Sequence, residues 1–285
     1  MRRIVISAAV LLAITAASGD RAEAQVPAPQ PAADEAGLIQ DNSFLHEEAY
    51  NQEPGVMQHI SLFTHFWESE SWAYGFTQEW PLGGMRHQGS YSLAVVRPGS
   101  FVKTGFGDLL LNYRFQALGG GDARWSFSPR LSLLVPSGDS KVGRGFGGAG
   151  VQVNLPLSVV LHDNLVLHAN AGTTLVPRAK NEFAERAFTS GFNLSQSFIW
   201  LAHPRFNVLL ETVWNGVETV SAPDRTERSN EVFLAPGIRW AYNFRNGLQI
   251  VPGIGMAAGV GPSAGEQGLI IYLSFEHPFT KSATD

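Results

Sequence analysis

The chain has 285 residues, 44% of them hydrophobic and 11% aromatic, with 30 glycines, no cysteine and a formal net charge of −5. Without cysteine there are no disulfides and no thiolate metal sites, and without a basic stripe or cluster nothing points to nucleic acid. High glycine combined with many aromatics is a mixture found in β-barrels with Gly-rich turns and aromatic girdles.

Arg2 and Arg3 precede the apolar run Ile4 to Ala17, and Ala22-Glu23-Ala24 is a small-x-small site before Gln25. The pattern predicts a secretory signal peptide over residues 1–24. The run is short for a spanning helix, no stop-transfer sequence follows, and no later apolar run is long enough, so a membrane form of this chain has to be a barrel. Residues 25–38, VPAPQPAADEAG at their centre, read as a Pro/Ala-rich flexible leader. In 39–53, Phe44, Leu45, Ala49 and Tyr50 fit one face of a short helix capped by Asn42 or Ser43. This segment is expected either to plug the periplasmic mouth or pack beneath it, or to stand as a detached periplasmic helix.

From residue 54 to 279 the chain alternates. In FGDLLLNYRFQAL (106–118) every second residue from Leu109 to Ala117 is apolar, while Asp108, Asn112, Arg114 and Gln116 take intervening places. Side chains alternate across a strand with period two, so one face is greasy and the other polar. About twelve such segments follow one another, near 54–66, 71–81, 90–97, 105–118, 123–136, 149–160, 164–177, 187–201, 205–216, 231–244, 247–259 and 267–277. Each is close to the ten or so residues that a tilted membrane strand needs, and an even count suits a closed antiparallel barrel, with 10–14 strands as the bounds. Residues 280–285 are left as a tail.

The connections divide a soluble sandwich from a membrane barrel. LHDN (161–164), AHPR (202–205) and FRNG (244–247) are tight turns, and Asn246-Gly247 is a hairpin dipeptide. Between them lie long links at 137–148, 178–187 and 217–230. Alternating short and long links predict short periplasmic turns on one rim and long extracellular loops on the other. The fold class is therefore all-β, a transmembrane antiparallel barrel of outer-membrane type, in contact with outer-membrane lipid.

The faces follow from that assignment. Val151, Val153, Leu155, Leu157 and Val159, with Leu269, Ile271, Leu273 and Phe275, belong on the lipid side. Asp108, Asn112, Arg114, Gln116, Arg130, Gln152, Asn154, His168, Asn170, Glu211 and Arg239 are the candidate lumen-lining residues, filling a narrow interior or tuning passage of solutes. Trp72, Tyr74, Trp80, Trp125, Phe127, Phe198, Trp200, Trp214, Trp240 and Tyr242 gather near strand ends, where amphipathic rings prefer the membrane interface.

Chemistry finds less support. His168, Asn170 and Thr174 share one polar face and suggest a lipid-acting hydrolase, but i and i+2 side chains on a strand stand about 7 Å apart, too far for a nucleophile–base hydrogen bond. His59 and His65 are about 20 Å apart along a strand and cannot share one ion. GRGFGGAG (143–150) is followed by a strand, whereas a phosphate cradle needs a following helix. No catalytic set, metal or cofactor is assigned.

The stretches 41–60, 106–118, SPRLSLLVPSG (128–138), GVQVNLPLS (150–158) and NAGTTLVP (170–177) resemble the bacterial outer-membrane transporter-like family labelled "putative meta-pathway of phenol degradation". The resemblance covers most of the chain after residue 38. It implies a barrel that passes small, hydrophobic or aromatic molecules across the outer membrane, and it carries no catalytic residues. A channel or transporter for small-molecule solutes is the leading reading. An outer-membrane lipid-acting enzyme and a structural or adhesive barrel are the alternatives, and oligomeric state is open.

Overall fold

A computed structural model of the chain describes residue 39, residues 41–120 and residues 123–279. The expected signal peptide, the leader and the C-terminal tail lie outside the described residues. Twelve strands cross the barrel. They are Val56–Phe66, Trp72–Pro81, His87–Arg97, Gly105–Phe106 with Leu109–Phe115, Trp125–Phe127 with Arg130–Val135, and Gly150–Asn154 with Leu157–His162. The second half holds Leu165–Lys180, Arg186–His203, Phe206–Ala222, Arg225–Trp240 with Tyr242–Asn243, Gln249–Gly259, and Gln267–Pro278. Each pairs antiparallel with the next, and the twelfth returns to the first in a ladder from Val56↔Pro278 to Phe66↔Gly268. The sheet is thus closed, without an edge to expose in lipid.

The breaks in the fifth and sixth strands have a simple cause. Pro129 and Pro156 lack an N–H, yet the available donors stay paired: Ser128 N–H donates to the Pro156 carbonyl at 3.2 Å and Phe115 N–H to the Pro129 carbonyl at 3.1 Å. Register is the same on both sides of the breaks, so the faces do not swap.

Two of the expected long links are mostly strand. The seventh to tenth strands run 16 to 18 residues, and the link expected at 217–230 reduces to Pro223-Asp224, with Asp224 at φ 55°. The link at 178–187 shrinks to residues 181–185. The segment ETVSAPDRTERSN reads as loop because few of its residues are apolar, although Val220 is buried on the inner side with Val176, Ala179 and Ala187. The loop at 137–148 remains, with a 3-10 turn at Ser140–Val142. The third strand also begins three residues early, at His87, and the fourth ends at Phe115.

Val151, Val153 and Leu155 are exposed on the outer wall while Gln152 and Asn154 beside them are buried. Polar-inward alternation holds best on the fourth to seventh strands. On the opposite wall it gives way, because Ile199, Leu209, Phe233, Ala235, Val251, Ile270 and Tyr272 point inward and form one apolar cluster with Ile60 and Phe44. The interior is half polar and half apolar.

Candidate functional site

The interior is occupied by the chain itself. Asp41, Ser43, Phe44, Glu48, Ala49, Asn51 and Gln52 are all buried, and the residues from 41 to 53 form bends with no helix. The expected helical face does not form: Phe44 and Ala49 instead meet different parts of the wall. A short helix gains little on its own, and an irregular buried chain needs outside partners for its backbone groups. The wall supplies them.

Glu211, on the ninth strand, accepts from the backbone N–H of Phe44 at 2.7 Å and Leu45 at 2.9 Å. Ser158 Oγ accepts from Ala49 N–H at 2.8 Å. Gln116 both accepts from Asn51 N–H and donates to the Ala49 carbonyl, and Gln88 accepts from Gln52 N–H at 2.7 Å. Arg239 donates to the carbonyls of Asp41 and Asn42 at 2.6 and 2.9 Å. Arg114 donates to the Tyr50 carbonyl at 2.7 Å, and Asn170 to that of Glu47 at 2.7 Å.

Charge pairing follows the same division. Arg239 meets Glu48 at 3.1 Å, Arg130 pairs with Glu47, and Arg114 pairs with Glu79 of the neighbouring wall at 3.3 Å. Asp41 accepts from Gln58 Nε2 and from the Tyr272 hydroxyl, each at 2.6 Å. The Phe44 ring enters a slot where the tenth and eleventh strands carry Gly237, Gly253 and Gly255, and a Cβ at Gly253 would stand 2.6 Å from it. Burial pushes the Glu48 carboxyl up to about 7, against the pull of Arg239, and pushes Asp41 up as well. Burial takes His46 down to about 3. His46 as a residue is half-buried, and both of its ring nitrogens are buried without a partner.

The sequence-predicted residues therefore fall into three groups. Arg114, Gln116, Arg130, Asn154, His168, Asn170, Glu211 and Arg239 touch the inserted segment. Asn112 and Gln152 bond within the wall, to Ser90 and Thr174. Asp108 sits at the far rim, where its carboxylate accepts from Gly138 N–H at 2.9 Å and Phe146 N–H at 2.8 Å and so anchors the 137–148 loop. Of the sequence-predicted charges, Arg114 pairs with another wall residue, Glu79, while a directly opposed cross-strand pair forms between Glu218 and Arg228 at 2.9 Å.

His168 does not meet Thr174. Its Nδ1 lies 2.7 Å from Ser158 Oγ and its Nε2 3.6 Å from Glu48, a Ser-His-Glu row that superficially suggests a hydrolase. All three side chains are buried, and the serine oxygen already accepts from Ala49 N–H. A nucleophile needs room for an acyl carbon beside it. The row is a tie between segment and wall. Glu47, Glu48, Gln58, Glu79, Gln88 and Tyr272 were missed by sequence reasoning. The crowding of hydrogen-bonding side chains in DNSFLHEEAYNQ was the available signal.

A closed twelve-stranded antiparallel sheet with an apolar outer wall is a β-barrel of the outer-membrane type. The chain belongs to the family described as "Putative MetA-pathway of phenol degradation", which matches residues 54–275. Among solved structures it is similar to an outer membrane channel from Pseudomonas putida F1, at 11% identity over 80% of this chain and 97% of that one, with a TM-score of 0.57. It is also similar to the NanC porin, at 10% identity over 76% and 98%, with a TM-score of 0.53. No curated protein matches the sequence.

Proposed function

We propose that the protein is an outer-membrane channel for small molecules whose lumen is closed by its own residues 39–53. Residues 1–24 direct export and are removed, and outer-membrane lipid covers the apolar wall. The observation that carries this reading is where the inward polar groups are used. Arg239, Arg114, Glu211 and Asn170 come from four different strands, and all spend hydrogen bonds on the backbone of one irregular segment. A wall built only to fill itself would pair side chain with side chain across neighbouring strands. A segment held by many separable polar ties can leave and return, and its departure would expose Arg114, Gln116, Arg130, Asn154, Asn170, Glu211 and Arg239 to a passing solute.

The apolar half of the interior supports small hydrophobic or aromatic molecules as the solutes. Passage is favoured over catalysis because the Ser158, His168 and Glu48 row has no open side. Efflux from proteoliposomes tests the reading: phenol and benzoate trapped inside should escape faster with the protein than without it. Equal escape with and without protein would overturn it.

A further inference from the structure

The two histidines nearest the barrel seam meet across it. His59 on the first strand and His277 on the twelfth are 218 positions apart, with their Nε2 atoms 3.1 Å from each other and their rings stacked at 5.2 Å and 16°. The alternation of the first strand buries Gln58 and Ile60 inward, which places His59 on the outer wall. His277 lies one residue from the end of its strand, so the pair sits within about 10 Å of the rim.

The proton positions are constrained. His277 Nδ1 lies 3.3 Å from the Pro278 carbonyl, and a carbonyl can only accept, so Nδ1 carries the proton and Nε2 presents a bare lone pair. In the free protein His59 Nε2–H donates to that lone pair. A cation can replace this single proton. Two nitrogens bound to a tetrahedral ion at about 2.05 Å stand roughly 3.3 Å apart, within a few tenths of an ångström of the separation present. A second nitrogen held by a backbone carbonyl is also how metal-ligating imidazoles are usually oriented.

A third donor adjoins the pair. Met57 is directly opposite His277 in the ladder, and Gln78 is directly opposite His59. Opposed side chains start about 4.5–5.5 Å apart at Cβ, and the Met57 sulfur accepts from Gln78 Nε2 at 2.9 Å, leaving its other lone pair free. Among the described residues no three His, Cys, Asp or Glu side chains come together, so the thioether completes the donor set. Two imidazoles and a thioether suit a soft ion rather than magnesium or calcium. We propose that Met57, His59 and His277 form a Cu(I) site on the outer wall, near the rim that carries the barrel's two ends. Binding at His59 Nε2 moves its proton to Nδ1, so the ring stays neutral, no proton is released and no oxidation state changes.

The test is transfer of Cu(I) from a bicinchoninate buffer to the full-length, detergent-folded protein. One ion per chain is expected, with affinity falling about tenfold or more in His59→Gln and in His277→Gln, and Met57→Leu weakening Cu(I) more than Zn(II). Heat-modifiable gel migration checks that each variant folds. X-ray absorption of the copper-loaded natural sequence gives a reading independent of any variant and should contain both imidazole and sulfur scattering. Failure to take copper from the chelator, unchanged affinity in folded His277→Gln, or a spectrum without imidazole scattering would overturn the site.

Discussion

The guanidinium of Arg239 and the carboxylate of Glu48 stand 3.1 Å apart, 191 positions from one another in sequence, one on the wall and one on the inserted segment, both buried. Arg239 also holds the carbonyls of Asp41 and Asn42. One side chain therefore fixes both the entry and the middle of the segment. Removing it leaves the carbonyls of Asp41 and Asn42 and the Glu48 carboxyl without their shared donor, at about 1–3 kcal/mol for each buried group left unpaired. Arg239→Met should loosen the segment and leave the barrel closed. Conductance should rise and a cysteine placed at Ala49 should become reactive, while heat-modifiable migration stays normal.

The segment's titratable groups pull in opposite directions. Docked Glu48 keeps its proton to about 7, whereas its ordinary value is 4.5. Docking therefore takes up a proton between those values and weakens as pH rises through them, and Asp41, also raised, acts with the same sign. His46, lowered from 6.5 to about 3, does the reverse, and docking weakens as pH falls across that window. Between about 4.5 and 6.5 the two slopes oppose each other. In conductance measured from pH 4 to 8, Glu48→Gln should reduce opening on the alkaline side and His46→Phe should reduce it on the acid side. Superimposable profiles would contradict this.

The outer wall makes a separate prediction. Leu155 is exposed beside the sixth strand's proline break, and an arginine facing lipid costs about 2–4 kcal/mol near the bilayer midplane. Leu155→Arg should lower the yield of assembled barrel, measured as the heat-modifiable fraction. Arginine at exposed Glu227, on the rim-projecting part of the tenth strand, should not.

Topology is open to direct labelling, because the chain has no cysteine of its own. Single cysteines at Ser140 and Asp224 should react with an impermeant maleimide on intact cells, and those at Asp163 and Asn246 should not. The opposite pattern would reverse the two rims.

The strands were largely legible because an apolar period of two is local, and lipid enforces it on every strand. Residues 217–230 were not, since few of them are apolar. The inserted segment was half legible. A segment such as DNSFLHEEAY is visibly neither strand nor linker, but its helical spacing of Phe44, Leu45, Ala49 and Tyr50 pointed to one shared face. In the structure the three-glycine slot takes Phe44, and Ser158 takes the backbone at Ala49. Pairings such as Glu48 with Arg239, or His59 with His277, depend on barrel closure and leave no mark in local spacing. The same limit hid the partners of Asp108, which lie in a loop 30 and 38 residues further on.

The central claim is that residues 39–53 close an otherwise open barrel. Single-channel recording in planar bilayers, comparing the full mature chain with one lacking residues 39–53, tests it most directly. The account predicts small, intermittent openings for the full chain and a larger, steady conductance for the shortened one. Equal conductance from two equally folded proteins would contradict it.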